Sequence, residues 1–221
     1  MFGCTILEGY GLTETTALGT FNDLARGGKI GSTGRALPHL SVEVRDNAGN
    51  PCPAGTVGEI FIKGVTVMKG YWQLPEATKA ALSEEGWFRT GDLGAFDDDH
   101  DLRIVDRLKD MIIRGGYNVY PREIEEALYQ HPDIIEAAVI GVPDTHYGEE
   151  IAAVVTLKPG SSLTEQALTD WIRQRLSAYK IPRIIDFVDH LPKGSTGKIL
   201  KRSIDRDALR APGSVQQPNM L

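Results

Sequence analysis

Two apolar runs of strand length, residues 102–105 (LRIV) and 111–114 (MIIR), are separated by the charged residues Asp106, Arg107, Lys109 and Asp110. Charged side chains are costly to bury unless each is paired, so this bridge marks a boundary between two folding units. The pattern of the chain changes across it. Before it come short β segments broken by turns. Residues 41–45 (SVEVR) alternate with the period of a half-buried strand, 47–55 (NAGNPCPAG) is a turn cluster, and 57–63 (VGEIFIK) is the returning strand of a long-tipped hairpin. Residues 75–82 (PEATKAAL) predict a short helix with proline in the first turn, where a missing N–H costs nothing.

After the bridge, helix and strand alternate. Pro121 opens a helix with Ile124, Ala127 and Leu128 on one face, and 134–142 (IIEAAVIGV) and 151–157 (IAAVVTL) predict buried strands. Residues 164–179 predict a helix with Leu168, Trp171, Ile172 and Leu176 as its apolar stripe and Ser162 or Thr164 as its cap. A third strand over 183–188 and a basic helix over 199–210 complete a compact α+β unit in which helices cover one small sheet. Residues 211–221 hold too little apolar surface to order themselves and predict a disordered tail.

Composition bounds the function. At 221 residues, 41% hydrophobic and 24% charged, the chain has room for one large or two small globular domains. No apolar run reaches the roughly 18 residues that span a bilayer, and the first ten residues lack a signal peptide's basic start and apolar core, so the expected location is the cytoplasm, with no transmembrane segment. Cys4 and Cys52 form no CxxC, and His39, His100, His131, His146 and His190 form no i, i+4 pair, which argues against a disulfide framework and a zinc site. A net charge of −6 argues weakly against a nucleic-acid partner.

Three motifs carry chemistry. In EGYGLTET, residues 8–15, Gly9 and Gly11 permit close backbone approach, Tyr10 offers a flat face, and Thr13 and Glu14 offer a hydroxyl and a carboxylate, a set that suits a nucleotide; a capped helix start with a surface glutamate is the plain alternative. Asp92, in TGDLG, stands fifteen residues before Arg107. Read as a turn residue it is either an Asx turn or a carboxylate free to accept two hydrogen bonds, the number a ribose diol donates. Arg107 is either a ligand-facing cation or a surface partner of Asp106 or Asp110. In LPKGSTGKILKR, residues 191–202, GSTGK imitates a phosphate-binding P-loop, but Pro192 stands where the first glycine belongs and Ile199 where Ser or Thr belongs. Lys198 there is either a mobile point charge or a solvated helix start.

Taken in order, the three motifs resemble the adenylate-forming enzymes, the superfamily of acyl-CoA synthetases, luciferases and peptide-synthetase adenylation domains, over nearly the whole chain. The resemblance implies an α+β fold: residues 1–107 as a β-rich, barrel-like remnant of the large N-terminal AMP-binding domain, then 108–210 as the small mobile C-terminal domain with its sheet covered by helices. It implies an acid-thiol ligase, an AMP-forming acyl-CoA synthetase that uses MgATP to make an acyl-AMP and passes the acyl group to CoA, a fatty acid being the favoured substrate. Its cofactors are ATP or AMP, Mg2+ and coenzyme A. Tyr10 would stack on adenine with Ile104 nearby, Thr13 would contact phosphate, and Glu14 would hold the metal. Asp92 would take the ribose hydroxyls and Arg107 the ribose or α-phosphate. Lys109 would be the hinge between domains, Lys198 the adenylation catalyst, and Gly116, with Gly115 before it, would flank the pantetheine tunnel, where a plain β-turn is the alternative. Lys180, in SAYKIPR, would meet CoA phosphates or be merely exposed.

The Ser/Thr/Gly-rich pyrophosphate loop of such enzymes is absent, since GSTGR at 31–35 follows EGYGLTET instead of preceding it. The expectation is therefore a fragment, inactive alone, whose partners are the missing N-terminal domain, a carboxylic acid and CoA, with a homo-oligomer left open. Loading of a carrier protein, and a non-catalytic nucleotide-binding or interaction module, are the alternatives.

Overall fold

The computed structural model describes residues 4–209. The chain divides into two compact units, Met1–Lys109 and Asp110–Leu221, and the tail expected over 211–221 lies outside the described residues.

The first unit is almost entirely antiparallel β structure. Strands β1 (Gly9–Tyr10), β2 (Thr20–Phe21) and β3 (Arg35–Ala36) form one small sheet; β4 (Leu40–Arg45), β5 (Gly58–Gly64), β6 (Phe88–Phe96) and β7 (Leu102–Arg107) form a second, in chain order. The expected hairpin is β4–β5, with Val42 opposite Ile62 and Val44 opposite Ile60. That alternation buries Val44, Ile60 and Ile62 with Leu102 of β7 and leaves Glu43 and Lys63 outside the cluster. Helix α1 (Pro75–Ala81) begins with Pro75 in its first turn, as expected. Neither sheet closes into a barrel among the described residues.

One motif sits differently from its sequence reading. TGDLG is not a turn: Asp92 lies inside the nine-residue strand β6. Gly91 takes a positive φ of 71° and the register shifts between Leu93 and Gly94, so the glycines bend the strand without ending it.

The second unit is a five-stranded sheet with helices. Strands β8 (Ile112–Arg114) and β9 (Tyr117–Val119) form a hairpin; α2 (Pro121–Tyr129), β10 (Ile134–Asp144), β11 (Gly148–Leu157), α3 (Glu165–Arg173) and β12 (Ile184–Phe187) follow. The sheet order is β10-β11-β8-β9, and β12 pairs parallel to β11. Because side chains alternate along a strand, β10 and β11 serve two faces. Ala137, Val139, Ile151, Ala153 and Val155 meet Ile124 and Leu128 of α2 and Leu168 and Ile172 of α3. Ala138, Ile140, Val142, Ala152 and Val154 meet Leu191, Ile199, Ile204 and Leu209. Each fully buried Leu or Ile here contributes about 1.5–3 kcal/mol relative to exposure. The side chain of Thr164 caps α3 by accepting from the amide of Ala167. The helix stops at Arg173, short of the expected Tyr179, and a separate 3-10 turn, Ala178–Lys180, follows.

The basic helix expected over 199–210 does not form. Among the described residues of that span only a 3-10 turn, Lys201–Ser203, is present. The Asp205 carboxylate accepts from the amides of Asp207 and Ala208, offering the backbone a turn in place of a helix. Ile199, Ile204 and Leu209 instead cover the second face of the sheet as an irregular strap.

Candidate active site

In the first unit, the antiparallel register of β6 and β7 sets Asp92 directly opposite Arg107. The fifteen-residue spacing is therefore a hairpin register, and opposed residues of such a pair lie within side-chain reach. Nε of Arg107 lies 3.5 Å from Oδ1 of Asp92, and the Tyr10 hydroxyl donates to Oδ2 at 2.6 Å. The Asp92 residue is 8% exposed, whereas the Arg107 side chain is 59% exposed. The pair thus presents a buried acceptor beside an outward cation. Oγ1 of Thr90 fixes the main chain here, donating to the carbonyl of Ile60 and accepting from the Asp92 amide. Tyr10 and Ile104 both pack on the Val44–Ile60–Ile62–Leu102 cluster. Burial, reinforced by the hydrogen bond to Asp92, pushes the Tyr10 hydroxyl far above the ordinary phenol range, so it remains a donor.

The rest of EGYGLTET is held by its own chain. A Cβ on Gly11 would fall 1.8 Å from the carbonyl oxygen of Ala17, and one on Gly9 would fall 2.5 Å from the Phe21 ring. The space these glycines keep clear is therefore filled by protein. Thr16 and Ala17 both take positive φ, 54° and 85°, a conformation costly for residues other than glycine. Thr15 is the threonine that builds the turn: its hydroxyl accepts from the Leu12 amide and donates to the Leu12 carbonyl. Thr13 is exposed. Oε1 of Glu14 accepts from the Tyr71 hydroxyl at 3.0 Å, which leaves Oε2 as a hard oxygen able to take a divalent cation. Lys109 is exposed in a 3-10 turn, Leu108–Asp110.

In the second unit, Gly115 and Gly116 are the two central residues of the β8–β9 hairpin, with φ of 57° and 85°. A two-residue hairpin of this kind requires positive φ at both positions, which explains the glycine pair. Lys180 is not simply exposed: its ammonium donates to both oxygens of Glu123, at 2.6 and 2.7 Å. Partial burial works against its charge, but the Glu123 carboxylate overrides that and holds the lysine above its usual range. In the strap, Lys193 pairs with Glu136 and Lys201 with Glu125, whereas the exposed Lys198 side chain has no partner among the described residues. Its loop is closed by Gly194 and Lys198, whose amide and carbonyl meet at 2.9 Å, with Gly197 at positive φ.

A buried ion pair behind the glycine turn was not legible in the sequence. Arg114 grips Glu150 in a two-pronged contact, Nε to Oε1 at 2.5 Å and Nη2 to Oε2 at 2.9 Å, with both side chains under 10% exposed. Arg183 reaches the same carboxylate at 3.5 Å, and the Tyr147 ring lies against both guanidinium groups. The carbonyl of Tyr147 accepts from the Gly115 amide, tying the turn to this cluster. The partners are 36 residues apart, and only the odd placement of Arg114 at the end of an apolar strand hinted at a buried charge.

Other acidic groups have plain roles. Asp97, Asp99 and Asp101 converge, but Lys29 pairs with the first two, and Arg26 and Arg35 lie 3.6 Å from the third. No helix among the described residues is long and apolar enough to cross a membrane.

Residues 1–72 match the family model of the AMP-binding enzymes, and residues 123–198 match that of the AMP-binding enzyme C-terminal domain. The chain is 46% identical over 202 residues to a long-chain-fatty-acid–CoA ligase of Yersinia pestis, covering 91% of this chain and 36% of that protein. It is 44% identical to a feruloyl-CoA synthase of an Amycolatopsis species, covering 92% of this chain and 42% of that one. The crystal structure of ATP-bound MatB from Rhodopseudomonas palustris superposes with a TM-score of 0.83 at 40% identity, covering 90% of this chain and 40% of that one. The chain thus spans about two fifths of the length of the proteins it matches.

Proposed function

Because the chain belongs to the AMP-binding, adenylate-forming enzyme family, we propose that it carries nucleotide-handling elements of an AMP-forming acyl-CoA ligase. In that reaction a carboxylate oxygen attacks the α-phosphorus of ATP and pyrophosphate leaves. The CoA thiolate then attacks the carbonyl of the acyl-AMP, and AMP leaves. The observation that carries this reading is the pairing of Asp92 with Arg107 across β6 and β7, capped by the Tyr10 hydroxyl. A buried carboxylate accepts from the ribose diol, and an exposed guanidinium a few ångströms away answers the phosphate charge, the two needs of an adenylate.

The remaining roles follow from the family. Tyr10 and Ile104 border the adenine and Thr13 contacts phosphate. Glu14 would hold Mg2+, which when bound neutralises the phosphate oxygens. Lys198 serves acyl-AMP formation, and its lack of a partner among the described residues supports that role, because such a cation on a glycine-flanked loop is free to meet a developing negative charge. Lys109 is the hinge, and Gly115 and Gly116 border the path of the CoA thiol. Lys180 meets CoA phosphates only by leaving Glu123, which neutralises it here. The domains are 1–107 and 108–210, and the enzyme works in the cytoplasm with a larger N-terminal domain as its partner. A long-chain fatty acid is the favoured substrate, since the Yersinia pestis relative is a ligase for such acids; an aryl acid is the competitor, after the feruloyl-CoA synthase.

The test is carboxylate-dependent AMP release, with and without CoA, from the chain itself and from the chain joined to whatever coding sequence precedes it in frame, using palmitate and ferulate as acids. CoA-stimulated release from the longer protein supports the ligase. Nucleotide binding with no acid-dependent release from either protein would sink it and leave a binding module.

A further inference from the structure

Tyr10 was read as a flat face for a base, yet its hydroxyl is committed elsewhere. It donates to Oδ2 of Asp92 at 2.6 Å, across 82 residues of sequence. An ionised carboxylate accepts at about four lone-pair positions. Here one is taken by the tyrosine, and the Arg107 guanidinium stands 3.5 Å from Oδ1. The carboxylate is thus held at both ends, by a partly buried neutral donor and by an exposed cation.

The two holds differ in kind. The Arg107 side chain is long and largely in solvent, and its contact is too loose to count as a strong hydrogen bond. The Tyr10 ring is wedged on the Val44–Ile60–Ile62–Leu102 cluster and its strand is fixed by the Gly19 amide donating to the Tyr10 carbonyl. The tyrosine is therefore the rigid member, and it sets the rotation of the carboxylate about its side-chain bonds.

We infer that Tyr10 is a positioning residue for ribose recognition: by locking Oδ2 of Asp92 it aims the remaining lone pairs at the 2′- and 3′-hydroxyls, so that preference for a ribonucleotide over a 2′-deoxynucleotide depends on the tyrosine hydroxyl. This rests on the assignment of Asp92 to the ribose. It assigns the hydroxyl a task separate from stacking, which the ring alone performs. Tyr10→Phe keeps the ring and its packing and removes only the donor, so it separates the two.

The experiment measures equilibrium affinity for AMP and for 2′-deoxyAMP, by calorimetry, in the chain, its Tyr10→Phe variant and its Asp92→Asn variant, with thermal midpoints as the check on folding. The wild-type chain should prefer AMP, and Tyr10→Phe should lower that preference about tenfold, the effect of one hydrogen bond to a charged group, while affinity for 2′-deoxyAMP falls much less. Asp92→Asn should abolish the preference. If Asp92→Asn removes the preference and Tyr10→Phe leaves it intact, the positioning role is wrong and the ribose assignment stands. If the wild-type chain shows no preference, or Asp92→Asn does not alter it, the ribose assignment itself fails and this inference with it. Loss of affinity for both nucleotides in equal measure on Tyr10→Phe would show a structural role only and would also overturn it.

Discussion

Lys198 and Lys180 lie in the same unit, and both were marked in the sequence as cations for an anionic ligand. Their surroundings separate them. Lys180 is neutralised by both oxygens of Glu123, while Lys198 projects from a short closed loop with no partner among the described residues. A neutralised lysine must first break an ion pair to meet a substrate; an unpaired one need not. Lys198→Ala in the active ligase is therefore expected to slow acyl-AMP formation about 100-fold or more, measured as acid-dependent pyrophosphate release. Thioester formation from supplied acyl-AMP and CoA should stay within a few-fold of wild type, and equal loss in both half-reactions would refute the division. Lys180→Met, by contrast, should act on stability. Its folded pKa is raised, so its contribution is fully present below the unfolded lysine value and fades as pH climbs through the higher folded one. The variant should therefore be less stable than wild type at pH 7 and converge with it once the pH passes the folded lysine's own pKa, read from urea midpoints. A gap that persisted unchanged at that pH would show that packing, not charge, is what was lost.

At the scale of elements, what the sequence discloses is what local spacing can encode. The β4–β5 hairpin was legible because Val42 and Val44 alternate with polar residues and a turn cluster separates them from the apolar run of the returning strand, and α2 because Pro121, Ile124 and Leu128 combine a start signal with one apolar face. The strap after Leu191 was misread because residue types over 199–209 do not disclose that Ile199, Ile204 and Leu209 cover the sheet, and the deciding Asp205 turn is a side-chain effect. Asp92 was placed in a turn because TGD is turn-rich, although its partner on β7 fixes it in a strand. For the Arg114–Glu150 pair the sequence offered only the odd placement of Arg114 at the end of an apolar strand, since the contact itself depends on β8 docking beside β11. Glu150→Gln should cost about 3–5 kcal/mol, because it leaves a buried guanidinium without its counter-charge. Joint replacement of Arg114 and Glu150 by methionine should recover most of that loss, since Arg183 is largely exposed and tolerates solitude. Urea midpoints with an unchanged slope are the measure, and a double variant no more stable than the single one would count against the argument. In the β8–β9 turn, Gly116→Ala should cost about 1–2 kcal/mol for its positive φ alone. Gly115→Ala should cost more, because its methyl would also meet the Tyr147 ring at 3.1 Å.

Across the whole molecule the two units are unequally finished. The second has an apolar cluster on each face of its sheet, with α2 and α3 over one and the strap over the other. The first buries a smaller cluster and leaves Ile6, Leu24, Ile30, Val65, Trp72 and Leu74 largely exposed, Trp72 at 86%. Exposed apolar side chains gain nothing from folding, so the first unit should be the less stable, and the chain should unfold in two steps instead of one. The tryptophans allow this to be assigned. Trp72 and Trp87 belong to the first unit, and Trp171, against His131 and Arg175, to the second. A variant with Trp72 and Trp87 replaced by phenylalanine reports the second unit alone, and one with Trp171→Phe reports the first. In urea the Trp171 signal should persist to a higher midpoint than the Trp72 and Trp87 signal, and residues 110–221 expressed alone should keep that higher midpoint. Coincident transitions in the chain, together with an unfolded 110–221 segment, would show that the second unit depends on the first despite having its own core.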